Sequence, residues 1–111
     1  MSDRRELLKG NTETLLLSLL SIQPMYGYQI IKELKRRSNG YFTFREGTLY
    51  PALHRLEAAK LVRGSWEQLP SGKERRYYHL TEKGLCLLEE KVAEWRGFYS
   101  AVNMIMQPLI T

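Results

Sequence analysis

The stretch that decides the fold is EGTLYPALHRLE, residues 46–57. Successive residues of an α-helix turn by about 100°, so Leu49, Leu53 and Leu56 form one apolar stripe. Pro51 has no N–H to donate, which predicts that it lies in the first turn of a helix starting near Gly47. The opposite side carries no carboxylate and consists of Thr48, Pro51, His54, Arg55 and Ala58. The pattern predicts a helix with one face in a core and the other offered to a ligand.

Five further elements surround this helix. They are a helix over residues 4–21 capped by Asp3, a helix over residues 26–37, a short edge strand over residues 41–44, a hairpin of strands 62–69 and 75–80 with a basic tip, and a long last helix beginning after Thr81. Their order predicts a mainly α (α+β) winged helix-turn-helix over residues 1–80, with a C-terminal dimerisation helix over residues 81–111 in the same compact domain. In this fold the third helix enters the major groove, while the second helix and the wing, which is the hairpin over residues 62–80, hold phosphates.

Composition and charge agree with a nucleic-acid partner. The 111 residues carry a net charge of +5, and the excess of basic side chains lies within residues 1–80. Such a balance favours a polyanionic ligand. The only cysteine, Cys86, excludes an intramolecular disulfide and a multi-cysteine zinc cluster, so we expect a cytoplasmic protein in which this thiol is buried. The apolar run over residues 15–22 is too short to span a bilayer, and no membrane partner is expected.

The outer face of the third helix, the second helix and the wing supply the candidate DNA contacts. Hydrogen-bond donors without a neighbouring carboxylate suit a surface that reads base edges between phosphates. The ten candidates are Tyr28, Lys35, Thr48, Tyr50, Pro51, His54, Arg55, Lys73, Arg75 and Arg76. The tyrosines also fit a core or positioning role, His54 also fits simple exposure, and the wing cations also fit a solvated surface.

The last helix carries an apolar stripe at alternating spacings of three and four residues. Its members are Leu85, Leu88, Val92, Trp95, Tyr99, Val102 and Met106. A heptad stripe kept for three repeats is typical of a helix that pairs with another helix. The pattern therefore predicts a homodimer.

Three ordered stretches resemble the PadR family of bacterial transcriptional regulators. They are MYGYQI at residues 25–30, GTLYPALHRLE at residues 47–57 and RRYYHLTEKG at residues 75–84. The single C-terminal helix resembles the short subfamily. The resemblance implies a homodimeric repressor that binds a two-fold-related operator and is released by a small phenolic or planar effector. It also implies that Lys60 replaces the glycine that usually ends the recognition helix.

The same resemblance places an effector on the last helix. Trp95 matches a tryptophan that faces its mate across the two-fold axis in short members and stacks on ligands there. Val92 and Tyr99 flank Trp95 by about one turn and complete the candidate effector site for a planar aromatic small molecule. Plain interface packing is an equally open interpretation of Trp95.

Other classes of protein fit the sequence less well. No nucleophile elbow, zinc-protease motif, P-loop or dinucleotide fingerprint occurs, so we expect no enzyme, and we expect no cofactor. His54 and His79 have no further ligand at metal-binding spacing, so no metal site is expected. The alternatives are a winged helix that serves only protein–protein contact and a MarR-like regulator. Salt-dependent binding of duplex DNA separates the first alternative from a regulator.

Overall fold

The computed structural model describes residues 10–110. In chain order the elements are α1 (Thr12–Leu20), β1 (Met25–Tyr26), α2 (Gly27–Arg37), α3 (Glu46–Ala58), β2 (Val62–Gln68), β3 (Glu74–Leu80) and α4 (Glu82–Ile110). Helices α1, α2 and α3 precede a hairpin and one long helix, so the predicted α+β class and the winged-helix order are confirmed. No helix among these residues is long and apolar enough to cross a membrane.

The core lies between the first three helices and the inner face of the sheet. The predicted stripe of α3 is confirmed, because Leu49, Leu53 and Leu56 are all buried. Leu16 of α1 and Ile30 of α2 are buried against it. Removal of this apolar surface from water is the main stabilising contribution to such a core. It also fixes which side of α3 remains outside.

The sheet has three antiparallel strands in the order β1-β3-β2. The hairpin strands are confirmed to within one residue at each end. The predicted edge strand over residues 41–44 is wrong, because Met25 and Tyr26 pair with Tyr78 and Tyr77 and so occupy that edge of β3. The N–H of Phe42 instead donates to Ser38 Oγ at 2.9 Å. The 41–44 segment is therefore a loop.

The first helix begins later than predicted. Gly10 has φ +84°, and residues 10–11 form a turn before α1 begins at Thr12. A left-handed backbone angle is open to glycine but cannot continue a right-handed helix. The continuous helix predicted from Arg4 is thus wrong at this point, and its earlier part, with the Asp3 cap, lies outside the described residues.

Helix α3 differs from expectation at its start and agrees at its end. It begins at Glu46, so Pro51 lies in the second turn rather than the first. Because Pro51 has no N–H, the carbonyl of Gly47 lacks its helical hydrogen bond. Gly47 is exposed, so water can donate a hydrogen bond to this carbonyl instead. At the other end Lys60 has φ +63°. The N–H groups of Lys60 and Leu61 donate to the carbonyls of Glu57 and Leu56, each at 2.9 Å, which is a Schellman cap.

Helix α4 is anchored to the rest of the chain through its first turns. The Thr81 hydroxyl accepts the N–H of Gly84 at 3.0 Å and donates to the carbonyl of Lys60 at 2.7 Å, so it caps α4 and ties it to the end of α3. Leu88 is buried in the chain's own core, so its assignment to the dimer interface is wrong. Cys86 is exposed, contrary to prediction, because it lies on the other side of the helix.

Beyond Val92 the helix leaves the core. We call residues 12–92 the body and residues 93–110 the arm. The 29 residues of α4 span about 43 Å, and the longest dimension of the described molecule is 56 Å. The arm therefore projects from the body as a single helix.

Candidate nucleic-acid interface

The outer face of α3 is the centre of the site. Because Leu49, Leu53 and Leu56 are drawn into the core, the residues between them point outward. Thr48, Pro51, His54, Arg55 and Ala58 are all exposed, as predicted. Thr48 and His54 thus present hydrogen-bonding groups about two turns apart on a convex helical surface.

A cleft of about 800 Å³ separates α3 from the wing. Its helical wall includes Tyr28, Tyr50 and His54, and its wing wall includes Trp66 and Arg75. Tyr28 is 56% exposed, so a core role for it is wrong, whereas Tyr50 is half-buried. Helix α3 and the wing therefore line the same cleft.

The position of Tyr50 depends on Gly27. A Cβ atom added to Gly27 would overlap the Tyr50 hydroxyl and approach its ring carbon Cζ to 2.7 Å. The glycine at the start of α2 thus lets the α3 tyrosine lie directly over that helix end. This contact explains why the two predicted stretches, residues 25–30 and 47–57, form one surface.

Basic side chains surround the cleft. The Arg75 guanidinium lies 4.2 Å from the centre of the Tyr26 ring, and Lys32 Nζ lies 5.5 Å from that of Tyr28. Such cation–π contacts hold a cation in place without neutralising its charge. Lys35 and Lys73 are exposed. The wing and α2 thus each present exposed basic side chains.

Four other arginines are paired with carboxylates, among them Arg37, whose Nε lies 3.9 Å from Glu33 Oε2. Arg36 Nε lies 2.6 Å from Glu33 Oε2, and this hydrogen bond lowers the pKa of Glu33. Arg55 Nε lies 3.2 Å from Glu13 Oε1 of α1, in an exposed pair that opens at little cost. Arg76 forms an ion pair with Glu57, and both side chains are about one-third exposed.

Tyr78 is part of the core rather than of the ligand surface. Its ring is buried, and this burial raises the pKa of its phenol, with the nearby Arg76 acting in the opposite direction. Tyr78 is therefore a neutral phenol under ordinary conditions. Its role is to join β3 to the helices.

The candidate effector residues lie together on α4. Trp95 is about half-exposed and its ring centre lies 6.5 Å from that of Tyr99, while Val92 packs against the core. A cleft of about 830 Å³ opens between α1, the 41–42 loop and α4. Val92 and Trp95 line this cleft, but Tyr99 does not, and Phe98 takes its place.

Comparison with known proteins identifies this architecture. The family model described as the transcriptional regulator PadR-like family matches residues 16–90. The chain belongs to the PadR-like family. Its members are transcriptional regulators and not enzymes.

Solved structures and a curated relative agree with this assignment. A PadR-like transcriptional regulator from Bacillus cereus is 35% identical with a TM-score of 0.82, covering 92% of this chain and 97% of its own. A PadR-like transcription factor from Bacteroides fragilis is 36% identical with a TM-score of 0.76, covering 92% and 96%. The transcriptional regulator Rv3488 of Mycobacterium tuberculosis is 41% identical over 66 residues, which are 60% of this chain and 58% of that protein.

Several residues of this PadR-like surface escaped sequence reasoning. Lys32 and Trp66 lie at the cleft or beside it, and Phe98 and Phe42 line the second cleft. Phe98 follows Trp95 by three residues, so a helical wheel could have shown that the two share a side. Nothing in the sequence signals that Phe42 lines a cleft together with α4, because that placement depends on the tertiary packing of a loop.

Proposed function

We propose that this PadR-family protein is a homodimeric repressor that binds an inverted-repeat operator and is released from it by a planar aromatic small molecule. The observation that carries the proposal is the exposed outer face of α3, which borders a cleft that the exposed Arg75 of the wing also lines. Helix α3 enters the major groove, where Thr48 and His54 contact base edges. As a DNA-bound regulator the protein works in the cytoplasm.

The second helix and the wing hold the DNA backbone in this proposal. Lys35 on α2 and Lys73 and Arg75 on the wing contact phosphates, and their exposure supports this role. Tyr28 and Tyr50 in the cleft between these elements contact the sugar-phosphate backbone beside α3. Pro51 and Ala58 bring apolar surface to the groove. Arg55 joins the contacts when its exposed pair with Glu13 opens.

The second copy binds through the arm. Six exposed members of the apolar surface beyond Leu88 support a helix-to-helix interface. They are Trp95, Phe98, Tyr99, Ile105, Met106 and Leu109. A contiguous apolar surface of this kind marks an interaction site, and Leu85, Val92 and Val102 border it. Pairing two copies in this way places two α3 helices on successive turns of the duplex, with half-sites about 10 bp apart.

A planar aromatic ligand fits between two copies of Trp95 when the arms pair. Indole rings and flat ligands stack with centroids about 4.5–7 Å apart. A ligand there changes the crossing of the arms and thus the spacing of the two α3 helices. Release from DNA requires that the ligand binds more tightly to the DNA-incompetent spacing.

The test is a binding titration on the DNA upstream of the chain's own coding region, together with a footprint. We expect two protected half-sites and an affinity that falls steeply with salt. Lys73→Ala should weaken binding to every duplex and flatten the salt dependence, whereas His54→Ala should relax the preference at particular base pairs. Absence of a protected repeat, with an affinity indifferent to salt, would favour a winged helix used for protein contact.

The effector is tested separately in the Trp66→Phe variant, where Trp95 is the only tryptophan. Flat aromatic compounds should quench its fluorescence, and the same concentrations should lower operator affinity. Quenching without any change in operator affinity would leave Trp95 as a packing residue of the interface.

A further inference from the structure

The wing meets α3 through one arginine. Arg76 of β3 reaches across β2 and forms an ion pair with Glu57 of α3. Glu57 lies one helical turn after His54 on the same helix. This ion pair therefore joins the wing directly to the helix that carries the base-contacting face.

The surroundings of Arg76 hold its guanidinium in one place. It lies 5.6 Å from the centre of the Trp66 ring and 5.9 Å from that of Tyr78. Trp66 is the cross-strand neighbour of Arg76, and Gly64 lies two residues earlier on the same strand. A Cβ atom added to Gly64 would overlap the Arg76 guanidinium. A strand glycine thus makes room for the arginine to reach α3.

Other contacts fix the wing at its base and to β1. Val62 and Tyr78 are buried at the base, and β3 pairs with β1, where Arg75 lies over the Tyr26 ring. Most side chains between residues 65 and 74 are exposed, so displacement of the tip would alter which phosphates the wing reaches. The Arg76–Glu57 pair is placed where the wing leaves the body and limits that motion.

We infer that Arg76 and Glu57 are positioning residues for DNA recognition, which set the angle between the wing and α3 rather than contacting DNA themselves. The inference rests on the proposed DNA-binding function. It assigns Arg76 differently from its neighbours Lys73 and Arg75, whose side chains are exposed. It also gives a negatively charged residue of α3 a favourable effect on the binding of a polyanion.

The favourable effect of the Glu57 carboxylate on DNA binding can be tested directly. Removal of a carboxylate near phosphates strengthens DNA binding when only charge matters. The inference requires the opposite for Glu57→Gln, which should bind the operator about tenfold more weakly than the wild type. The matched control is Glu74→Gln on the wing, since Glu74 is exposed and forms no ion pair among the described residues. This control should bind as tightly as the wild type or more tightly.

Two substitutions of Arg76 separate charge from position. Arg76→Lys keeps the charge but lacks the planar fork that pairs with a carboxylate and stacks on a ring. It should weaken operator binding about as much as Glu57→Gln. Arg76→Gln should weaken binding while leaving the slope of log affinity against log salt unchanged, whereas a phosphate contact would lower that slope by about one. The double variant Glu57→Gln with Arg76→Gln should be no weaker than either single variant.

The fluorescence of Trp66 reports on the Arg76–Glu57 ion pair in the absence of DNA. In the Trp95→Phe background Trp66 is the only tryptophan, and its emission should shift in Glu57→Gln, in Arg76→Lys and in Gly64→Ala, which changes no charge. Melting curves of the same variants establish that they fold.

The outcomes are distinct. A folded Glu57→Gln variant that binds as tightly as the wild type, or an Arg76→Gln variant with the reduced salt slope of Lys73→Ala, overturns the positioning role alone. A wild-type protein that binds no duplex overturns the proposed function and the inference together.

Discussion

The body and the arm differ in what covers their apolar side chains. In the body, leucines of α1 and α3 and Ile30 of α2 cover one another and leave almost no surface to water. In the arm, Ile105 is 81% exposed and Leu109 is 85% exposed. Both regions contain strong helix formers, so helix propensity does not distinguish them. The body thus buries its apolar side chains within one chain, whereas the arm leaves an apolar surface exposed, which we propose that a second copy covers.

The largest expected effect is the difference in the free energy of unfolding between a core variant and an arm variant of a monomeric protein. The variant Tyr99→Glu with Met106→Glu places charges on two exposed arm positions and should be monomeric. In that background Leu53→Ala should lower the free energy of unfolding by about 2–5 kcal/mol, because it leaves a cavity in the core. Ile105→Ala should leave it unchanged, because nothing in the same chain covers this side chain. Urea unfolding measures both, and an equal loss for the two variants would erase the distinction.

Two glycines of α4 offer a matched comparison within one helix. A Cβ atom on Gly84 would overlap the carbonyl oxygen of Leu61, whereas one on Gly97 would meet nothing within 4 Å. Gly84→Ala should therefore destabilise the monomeric background by about 1–3 kcal/mol. Gly97→Ala should stabilise it by about 1 kcal/mol through helix propensity. Thermal unfolding of the two variants measures the signs, and a stabilising Gly84→Ala would contradict the close contact with Leu61.

A smaller effect is confined to alkaline pH. Burial raises the pKa of Tyr78 in the folded protein above its value in the unfolded chain. The folded state therefore holds this proton more tightly, and the associated stability is present below a pH of about 10 and lost as the pH rises through the folded value. Tyr78→Phe should reduce that alkaline loss, whereas Tyr99→Phe in the arm should not. Unfolding curves across pH 8–11 test the pair, and an unchanged alkaline loss in Tyr78→Phe would count against the burial argument.

The smallest expected effect concerns the end of α3. Lys60 adopts a left-handed conformation that costs a residue with a Cβ more than it costs glycine. Lys60→Gly should stabilise the body by roughly 0.5–1 kcal/mol. Lys60→Ala serves as the control for the lost charge and should not stabilise. Chemical denaturation measures the free energy of unfolding of both variants. Equal stabilisation of the two would indicate an effect of charge instead of backbone strain.

Local patterns explain which parts of the fold were predictable from the sequence. The α3 stripe, the hairpin and the start of the last helix after Thr81 all depend on neighbouring residues. The pairing of β1 with β3 and the ion pairs Arg55–Glu13 and Arg76–Glu57 depend on tertiary packing, because their partners are many residues apart.

The α4 stripe also combines a feature that the local pattern predicts with one that tertiary packing decides. Its spacing predicts an apolar face, but it cannot distinguish Leu88, which the chain's own core covers, from Tyr99, which remains exposed. The exposure of the candidate DNA contacts Thr48 and His54 could be predicted, because it follows from the periodicity of one helix. The position of Arg76 could not be predicted, because it depends on the ion pair that joins β3 to α3.

The proposed homodimer forms through the exposed apolar surface of the arm, and sedimentation equilibrium of the wild-type protein at micromolar concentration tests this directly. The expected mass is twice the 13.0 kDa of one chain, and the Tyr99→Glu with Met106→Glu variant should return to the mass of a single chain. A wild-type mass of 13.0 kDa at that concentration would contradict the account.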